Sequence, residues 1–185
     1  IIENKLDKKP IYFEHNWEPI ENISMNLQKA VIASEDGTFL HHHGFDFSAM
    51  QQAFRNNANG KKIKGGSTIS QQTAKNVFLW QGRSYFRKAL EAYFTVLIEL
   101  IWGKERIMEV YLNSIEMGDG IYGAHAATQY WYGKDASSLT KMQAAGIAAI
   151  LPNPRKFKAS NSTAFINRRK DRIVRVMRHI GTINY

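Results

Sequence analysis

Two adjacent acids, Glu35 and Asp36, follow directly after the apolar run "AVIA". A carboxylate at the end of an apolar helix is partly desolvated, which raises its pKa and makes it a usable general base. The pattern also fits a helix-end acid paired with a nearby Lys or Arg. The acids belong to the stretch "SEDGTFLHHHGFD", residues 34–46, which is compatible with an acid–base site, a metal site or a polar loop between helices.

The three histidines of this stretch, His41, His42 and His43, are consecutive. Neighbours on a helix or strand do not converge on one ion, and metal sites favour spaced ligands such as His-x-x-x-His. The spacing therefore argues against a metal site. We expect one of the three to cap the loop or to hydrogen-bond within it.

Glu91 is the second candidate acid. It follows Arg87 by one helical turn and lies next to the apolar face of its predicted helix. A pair of acids is what sugar chemistry at an anomeric carbon commonly uses, which makes Glu91 a candidate for a positioned carboxylate in a cleft. The alternative is a surface ion pair between Arg87 and Glu91 at i,i+4 spacing.

The basic loop "GKKIKGGST", residues 60–68, invites comparison with a phosphate-binding P-loop. That motif requires G-x-x-x-x-G-K-[ST] after a strand, but Gly66 stands in the lysine position and no strand precedes it. We therefore reject nucleotide binding.

The residues around this loop still suit a diphosphate. Glycines allow the backbone to approach a ligand closely, and a helix N-terminus capped by Ser67 or Thr68 favours anions. Polar and cationic side chains follow: Gln71, Gln72, Lys75, Arg83 and Arg87. The alternative is a flexible basic loop followed by a capped helix.

The 185-residue chain has a formal net charge of +9, and its charges are segregated. Residues 47–90 contain eight Lys or Arg and no acid, and residues 155–178 contain nine against one acid. These segments are each +8, and the remainder is −7. Such segregation indicates an anionic partner such as phosphate, nucleic acid or an acidic membrane surface, although a solvated basic surface also fits.

Two classes of function and structure are excluded by composition. The absence of cysteine excludes disulfides, thiol catalysis and any zinc site built on Cys. A bilayer span takes about 20 apolar residues, whereas the longest apolar run, residues 93–102, is interrupted by Glu99.

The elements that must position these side chains are predicted to be helices in a mainly helical, all-α single domain. Helical periodicity and capping signals predict an entry loop and helix over residues 18–36, capped near Asn22 or Ser24, and helices within residues 47–57, 68–80, 84–102, 104–115, 118–134, 137–151 and 162–180. No convincing strand periodicity is present.

The apolar faces of two of these helices can be predicted from their spacing. In residues 84–102 the predicted face is Phe86, Leu90, Phe94, Leu97, Ile98 and Ile101. In the last helix it is Ile166, Ile173, Met177 and Ile180. The short helix "FSAMQQAF" either packs in the core or dips an exposed apolar face into a bilayer surface.

Four motifs occur in a fixed order: "EDGTFLHHHG", "GGSTISQQ", "RKALE" and "KERIMEVYLN". They resemble the successive signatures of the peptidoglycan glycosyltransferases (glycosyltransferase family 51), the polymerase domain of bifunctional penicillin-binding proteins. "GIYGAHAATQYWYGK" and "LTKMQAAGIAAILPNP" are similar to the fifth motif and its continuation. The resemblance covers residues 27–154, and with no transpeptidase domain following, it is to the monofunctional biosynthetic transglycosylases of Gram-negative type.

The resemblance implies a fold related to lysozyme, with a small membrane-facing jaw subdomain. It also implies a reaction that transfers the growing undecaprenyl-diphosphate-linked glycan onto the 4-hydroxyl of lipid II, forming β-1,4 bonds with inversion. A diphosphate leaves as an anion, so it needs cations rather than a proton donor.

The family's functional positions map onto individual residues of this chain. Glu35 matches the general base, and Glu91 matches the second essential glutamate, which acts near the diphosphate or holds the geometry of the site. Asp36 and Asn113 match motif positions of the site with structural or supporting roles. Ser67, Gln72, Lys75 and Arg83 match positions that bind the diphosphate and sugar of the donor. Arg87, which follows them in the basic segment, is a further substrate-binding candidate. Tyr132 departs from the family, which more often has Phe there, and His125 occupies a variable position.

Partners, cofactors and location are likewise implied by the resemblance. The partners are lipid II, the lipid-linked glycan and a membrane surface, with transpeptidases and other wall-synthesis proteins as further candidates and no nucleic acid. No metal site or cofactor is expected, and stimulation by a divalent cation such as Mg²⁺ or Mn²⁺ is left open. The expected location is the periplasmic face of the inner membrane. The family often has a transmembrane anchor before this domain, and we expect that anchor to have been removed here.

Two other functions compete with this interpretation. A lysozyme-like hydrolase or lytic transglycosylase needs a general acid and a neutral groove, which the acid-free basic segment disfavours. A basic binding module for nucleic acid or anionic lipid predicts salt-dependent binding without turnover.

Overall fold

The computed structural model describes residues 16–58, 66–82 and 84–185. The described elements are α1 (Met25–Glu35), α2 (Phe47–Ala58), α3 (Ile69–Phe78), α4 (Tyr85–Ile101), α5 (Gly103–Ser114), β1 (Glu116–Gly118), β2 (Ile121–Tyr122), α6 (Ala124–Tyr132), α7 (Lys141–Ile150) and α8 (Ala164–Met177), with 3-10 turns at Ile20–Asn22 and Ala136–Ser138. The mainly helical fold predicted from the sequence is confirmed.

The described helices pack in two groups. In the first, α7 packs against α1 and α8, and α8 also contacts α1. All residues of α7 from Ala144 to Ile150 are buried, and its many alanines allow the neighbouring helices to approach closely. In the second group α3 packs against α4 and α5, and α4 contacts α5.

Side-chain caps begin five of the described helices, and two of them, Ser24 and Thr68, are among the predicted cap candidates. Ser24, Thr68, Ser84, Thr140 and Thr163 each accept a hydrogen bond from a backbone N–H in the first turn of the following helix. Such caps satisfy donors that a helix leaves unpaired. The predicted stripe of α8 is confirmed for Ile166, Ile173 and Met177, which are buried, while Ile180 is partly buried.

The predicted apolar face of α4 is wrong at both ends. Phe86 and Ile101 are 68% and 72% exposed. Within the predicted face Ile98 is buried, and Leu90, Phe94 and Leu97 are partly buried. The other two buried residues of α4 are Glu91 and Thr95, which the prediction did not include in this face. These residues share helical spacing, and Thr95 satisfies its hydroxyl by donating to the Glu91 carbonyl at 2.6 Å. Since α4 carries more apolar residues than one face can bury, periodicity alone could not select the buried face.

A short antiparallel hairpin, β1–β2, joins α5 to α6 and corrects the expectation that no strand is present. The strands have three and two residues, too few to display an alternating pattern. Gly120 takes the positive φ of 76° that the turn requires.

Tyr132 and His125, which depart from the family pattern or occupy a variable position in it, make hydrogen bonds that do not involve Glu35. The Tyr132 hydroxyl lies 3.1 Å from the Ala159 carbonyl and 3.2 Å from the Gln143 carbonyl, and burial raises the Tyr132 pKa to about 12. His125 Nδ1 lies 2.7 Å from Glu18 Oε1.

Across the described ranges, none of the helices combines the length and the apolar character needed to cross a bilayer. Phe47 and Met50 of α2 are 74% and 42% exposed.

Candidate active site

Glu35 is the last residue of α1, and the helix core fixes its position. Leu27, Val31 and Ile32 bury the apolar side of α1, and the Asp36 N–H closes the last turn on the Ile32 carbonyl at 3.0 Å. Asp36 itself has non-helical backbone angles, so the chain turns away immediately after Glu35. The carboxyl group of Glu35 therefore projects from the end of a rigid helix.

Asp36 connects the loop after α1 to the start of α3. Its buried carboxylate accepts the Ile69 N–H at 2.9 Å, and both oxygens lie 3.0 Å from His42 Nε2. The Gly44 N–H donates to His42 Nδ1 at 3.1 Å, which places the His42 proton on Nε2. A negative charge at the N-terminus of α3 is favourable. One histidine of the three thus organises the loop, as predicted.

Gly44 brings this loop against α4 and α3. Its φ of 86° lies in the left-handed region, and a Cβ there would meet Thr95 Cγ2 at 2.8 Å and Glu99 Cγ at 3.2 Å. The Gly44 carbonyl accepts the Thr68 hydroxyl at 2.6 Å. Only glycine allows this approach.

The N-terminus of α3 is fixed by a capping box. Thr68 accepts the Gln71 N–H, and the Gln71 side chain accepts the Thr68 N–H at 3.0 Å. Gln71 is therefore buried, and its side-chain oxygen is engaged in the cap. Gln72 and Lys75, three residues apart, share the other face of α3.

Gln72 connects Glu35 to the second helix group. Its Nε2 donates to Glu35 Oε2 at 3.4 Å and to the Ser67 carbonyl at 3.4 Å, while its Oε1 accepts the Tyr111 hydroxyl at 3.2 Å. Burial, with the charges of Glu35 and Asp36, raises the pKa of Tyr111 well above its ordinary value, so Tyr111 remains a donor. The sequence analysis missed Tyr111, although a tyrosine on a buried helix face needs a partner for its hydroxyl.

The electrostatic surroundings of Glu35 leave it with a raised pKa. Burial is the largest cause, and the nearby negative charge of Asp36 acts in the same direction. Hydrogen bonds from Ser34 and Gln72 and the positive charge of Arg169 oppose it. A carboxyl group with a raised pKa is suited to accept a proton from a substrate hydroxyl. The sequence analysis missed both Ser34 and Arg169. Arg169 lies on α8, which is distant in the chain, whereas Ser34 is the direct neighbour of Glu35.

Glu91 has cationic surroundings. It is only 3% exposed, and Lys88 Nζ hydrogen-bonds its Oε1 while Arg87 Nη1 lies 3.8 Å from Oε2. The i,i+4 pair considered from the sequence therefore exists, but with Glu91 buried instead of at the surface. Lys88, at i,i+3, was missed. The Arg87 Nε is buried without a partner among the described residues.

Lys75 lies near this group without a close partner. Burial lowers the Lys75 pKa, as do the charges of Arg87 and Lys88, whereas the Glu91 carboxylate raises it. Its neighbours act on it electrostatically, and no hydrogen bond or ion pair joins its side chain to another residue of the described ranges. An unpaired cation beside an arginine with a free N–H is suited to bind an anion.

The other predicted site residues differ in position. Ser67 is half-buried just before α3, with its carbonyl bonded to Gln72. Asn113 is fully buried and fastens the N-terminal segment to α5: it donates to the Glu18 and Glu109 carbonyls and accepts the Glu18 N–H, each at 2.8 Å. Arg83 lies outside the described residues.

Within the described part of the chain, no group of three or more His, Asp or Glu side chains is arranged to hold a metal ion. The site brings together Glu35, Gln72, Lys75, Arg87 and Glu91 from α1, α3 and α4. Asp36 and Asn113 hold the elements in place through buried contacts.

Several known proteins are similar to this chain in sequence. A "Biosynthetic peptidoglycan transglycosylase" of Caulobacter vibrioides is 58% identical over 160 residues, covering 86% of this chain and 70% of that protein. Relatives with the same name from Pseudomonas putida and Pseudomonas syringae pv. syringae are 52% and 50% identical over 184 residues, covering 100% of this chain and 78% of each relative. The Transglycosylase family matches residues 4–178. The chain therefore belongs to the transglycosylase family and is an enzyme of that class.

Proposed function

We propose that this transglycosylase polymerises peptidoglycan glycan chains, with the undecaprenyl-diphosphate-linked glycan as donor and the 4-hydroxyl of lipid II as acceptor. The observation that carries the proposal is the pairing of two unlike sites on one face of α3. Gln72 contacts Glu35, a carboxyl group with a raised pKa. Three residues later, Lys75 lies in the field of Glu91, Arg87 and Lys88. The names of the relatives support the same substrate class.

The proposed step needs one base and an anion site. Glu35 accepts the proton of the acceptor 4-hydroxyl as the oxygen attacks the anomeric carbon of the donor. The new C–O bond forms as the bond to the diphosphate breaks, and the electron pair leaves with the diphosphate. Attack from the face opposite the leaving group gives inversion, hence a β-1,4 bond from an α-linked donor.

Cations stabilise the leaving group in this mechanism. Among the described residues, Lys75 and the Arg87 Nε–H, which has no partner there, are suited to donate to the diphosphate. Charge that develops on the diphosphate is stabilised most where water is excluded. Ser67 and Arg83 remain proposed contacts of the donor. No proton donor is needed for this leaving group, and we propose that no cofactor is required.

Glu91 is proposed to organise the cations, since two of them already contact it. Its negative charge raises the Lys75 pKa against the effect of burial, which keeps Lys75 protonated. Its carboxylate also orders Lys88 and Arg87. A second general base is not required.

We propose that the reaction takes place at the periplasmic face of the inner membrane, since the lipid tails of both proposed substrates require a membrane surface. The exposed Phe47 and Met50 of α2 suit contact with a bilayer surface. Transpeptidases and other wall-synthesis proteins are proposed partners.

The test is the incubation of purified enzyme with lipid II, followed by sizing of the glycan product. We expect elongated strands, with Glu35→Gln as the inactive control and a parallel reaction in EDTA to detect stimulation by Mg²⁺ or Mn²⁺. Shortening of purified glycan strands without elongation of lipid II would identify a hydrolase or lytic enzyme. Salt-dependent binding of anionic polymers with no product would identify a binding module.

A further inference from the structure

Arg169 of α8 reaches the catalytic end of α1, where it contacts Ser34, a residue 135 positions earlier in the chain. Its Nη2 lies 3.4 Å from the Ser34 hydroxyl, and that hydroxyl lies 3.1 Å from Glu35 Oε1. α8 packs against both α1 and α7, so the guanidinium is held on a rigid support.

The neighbouring arginines behave differently. Arg168 and Arg172 are exposed, whereas Arg169 is half-buried and its Nε is buried with no partner in the described ranges. An unpaired buried N–H has a free-energy cost. The packing of α8 alone does not account for an arginine at this position, because Ile166 and Ile173 already supply its apolar contact.

The Ser34 hydroxyl has two acceptors and one proton. It lies 3.1 Å from Glu35 Oε1 and 3.2 Å from the Ala148 carbonyl of α7, and it can donate to only one of them at a time. The Arg169 N–H occupies a lone pair of the serine oxygen and leaves that proton free to turn.

We propose that Arg169 is a positioning residue for Glu35, holding the Ser34 hydroxyl so that it donates to the ionised carboxylate and turns to Ala148 when Glu35 takes up a proton. The inference rests on the proposed role of Glu35 as general base. It adds a long-range support from α8 to a base that lies at the end of α1.

The charged and titratable groups around Glu35 set the expected direction of the pH effect. Asp36 opposes ionisation of Glu35, and Arg169 favours it. From the second helix group, Tyr111 stays neutral, and Gln72 is uncharged. Loss of Arg169 therefore raises the Glu35 pKa, and activity that depends on ionised Glu35 moves to higher pH.

The deciding experiment is an NMR titration of the Glu35 carboxyl carbon in protein labelled with ¹³C-glutamate. The Glu35 signal is assigned by its absence from the spectrum of Glu35→Gln. We expect Arg169→Met to move the Glu35 midpoint to higher pH, Arg169→Lys to stay closer to the wild type, and Arg168→Met to have no effect. This readout does not depend on turnover, so it remains decisive even if lipid II is not the substrate.

The pH profile of initial polymerisation rates supplies the second arm. In Arg169→Met the rising limb should shift to higher pH, with activity recovered there, and Ser34→Ala should shift it in the same direction. An unchanged Glu35 midpoint in Arg169→Met, or an equal shift in Arg168→Met, overturns the proposal. If Arg169→Met does not fold, the pH midpoint of the Glu35 titration in Ser34→Ala and Arg169→Lys decides whether the proposal holds.

Discussion

The two buried glutamates of the site differ in their neighbours, and the difference assigns their roles. Glu35 receives hydrogen bonds from the neutral donors Ser34 and Gln72, and burial raises its pKa. Glu91 is in contact with Lys88 and Arg87. The surroundings of Glu35 therefore suit it to take up a proton, whereas those of Glu91 suit it to order cations, although both residues have the same side chain.

The two carboxylates also belong to different helix groups. Glu35 extends from the α1–α7–α8 group, and Glu91 lies in the α3–α4–α5 group. The boundary between the two groups, here called the seam, is crossed by hydrogen bonds that include Ile69 N–H to Asp36, Gln72 to Glu35 and Thr68 to the Gly44 carbonyl. A change in the seam should therefore affect chemistry at Glu35 more than anion binding at Lys75.

Of the variants that separate the roles of the two glutamates, Glu35→Gln should have the largest effect on activity. We expect polymerisation to fall by about 10² to 10⁴-fold, the usual contribution of a general base. Donor binding at the Lys75 side should be unchanged, as measured by equilibrium binding of a lipid diphosphate. Polymerisation near the wild-type rate would remove Glu35 from the role of base.

The stability of the same variant checks that the loss is chemical. Glu35 has a folded pKa above its ordinary 4.5, so the folded state holds more protons than the unfolded state between these values. Stability therefore falls as the pH rises through that window, and an ionised Glu35 destabilises the fold at neutral pH. Glu35→Gln should unfold at a higher temperature than the wild type at pH 7, and the difference should shrink below pH 4.5.

Glu91→Gln should affect the cationic side of the site and the binding of the donor. Removing the carboxylate leaves Lys88 and Arg87 without their partner and should cost about 1–3 kcal/mol of stability, less than a fully buried pair because Lys88 is half-exposed. The Lys75 pKa, which Glu91 raises, should fall. Donor binding should then be lost at a lower pH than in the wild type.

The measurement is donor affinity as a function of pH, with Lys75→Ala/Glu91→Gln as the control that lacks the titrating lysine. If Glu91→Gln retained the wild-type pH dependence of binding and lost only turnover, Glu91 would be a participant in the chemistry instead of an organiser of cations.

Lys75→Ala should weaken donor binding by roughly tenfold or more, the loss of a charge-assisted hydrogen bond. The Glu35 titration should be unaffected, because Lys75 is not among the groups that shift it. The check is donor affinity by equilibrium binding together with the acid limb of the rate profile. Unchanged affinity would exclude Lys75 from the diphosphate site.

Much of this arrangement could be predicted from the sequence because it is local. The cap at Thr68, the end of α1 at Glu35 and the spacing of Gln72 and Lys75 follow from neighbours in the chain. The predicted hydrogen-bonding histidine is His42.

What the sequence could not supply is contact between distant elements. Arg169 and Tyr111 reach the site from α8 and α5, and nothing in their own segments marks them out from other arginines and tyrosines. The buried face of α4 was mispredicted for the same reason, since only packing against α3 and α5 selects Glu91 and Thr95 over the exposed apolar residues.

Tyr111→Phe should have the smallest effect and tests the seam most finely. Without the hydroxyl, Gln72 Oε1 loses its donor, at a cost of about 1 kcal/mol, and the amide is free to turn its oxygen towards Glu35. We expect a several-fold loss of polymerisation with donor affinity retained. Tyr132→Phe is the matched control, because it also removes a hydrogen-bonded tyrosine hydroxyl, but one that donates to the backbone carbonyl of Ala159 or Gln143 and not to Gln72. Equal loss of activity in both variants would attribute the Tyr111→Phe effect to a general loss of stability. A loss confined to Tyr111→Phe would show that Gln72 must be held with its N–H towards Glu35.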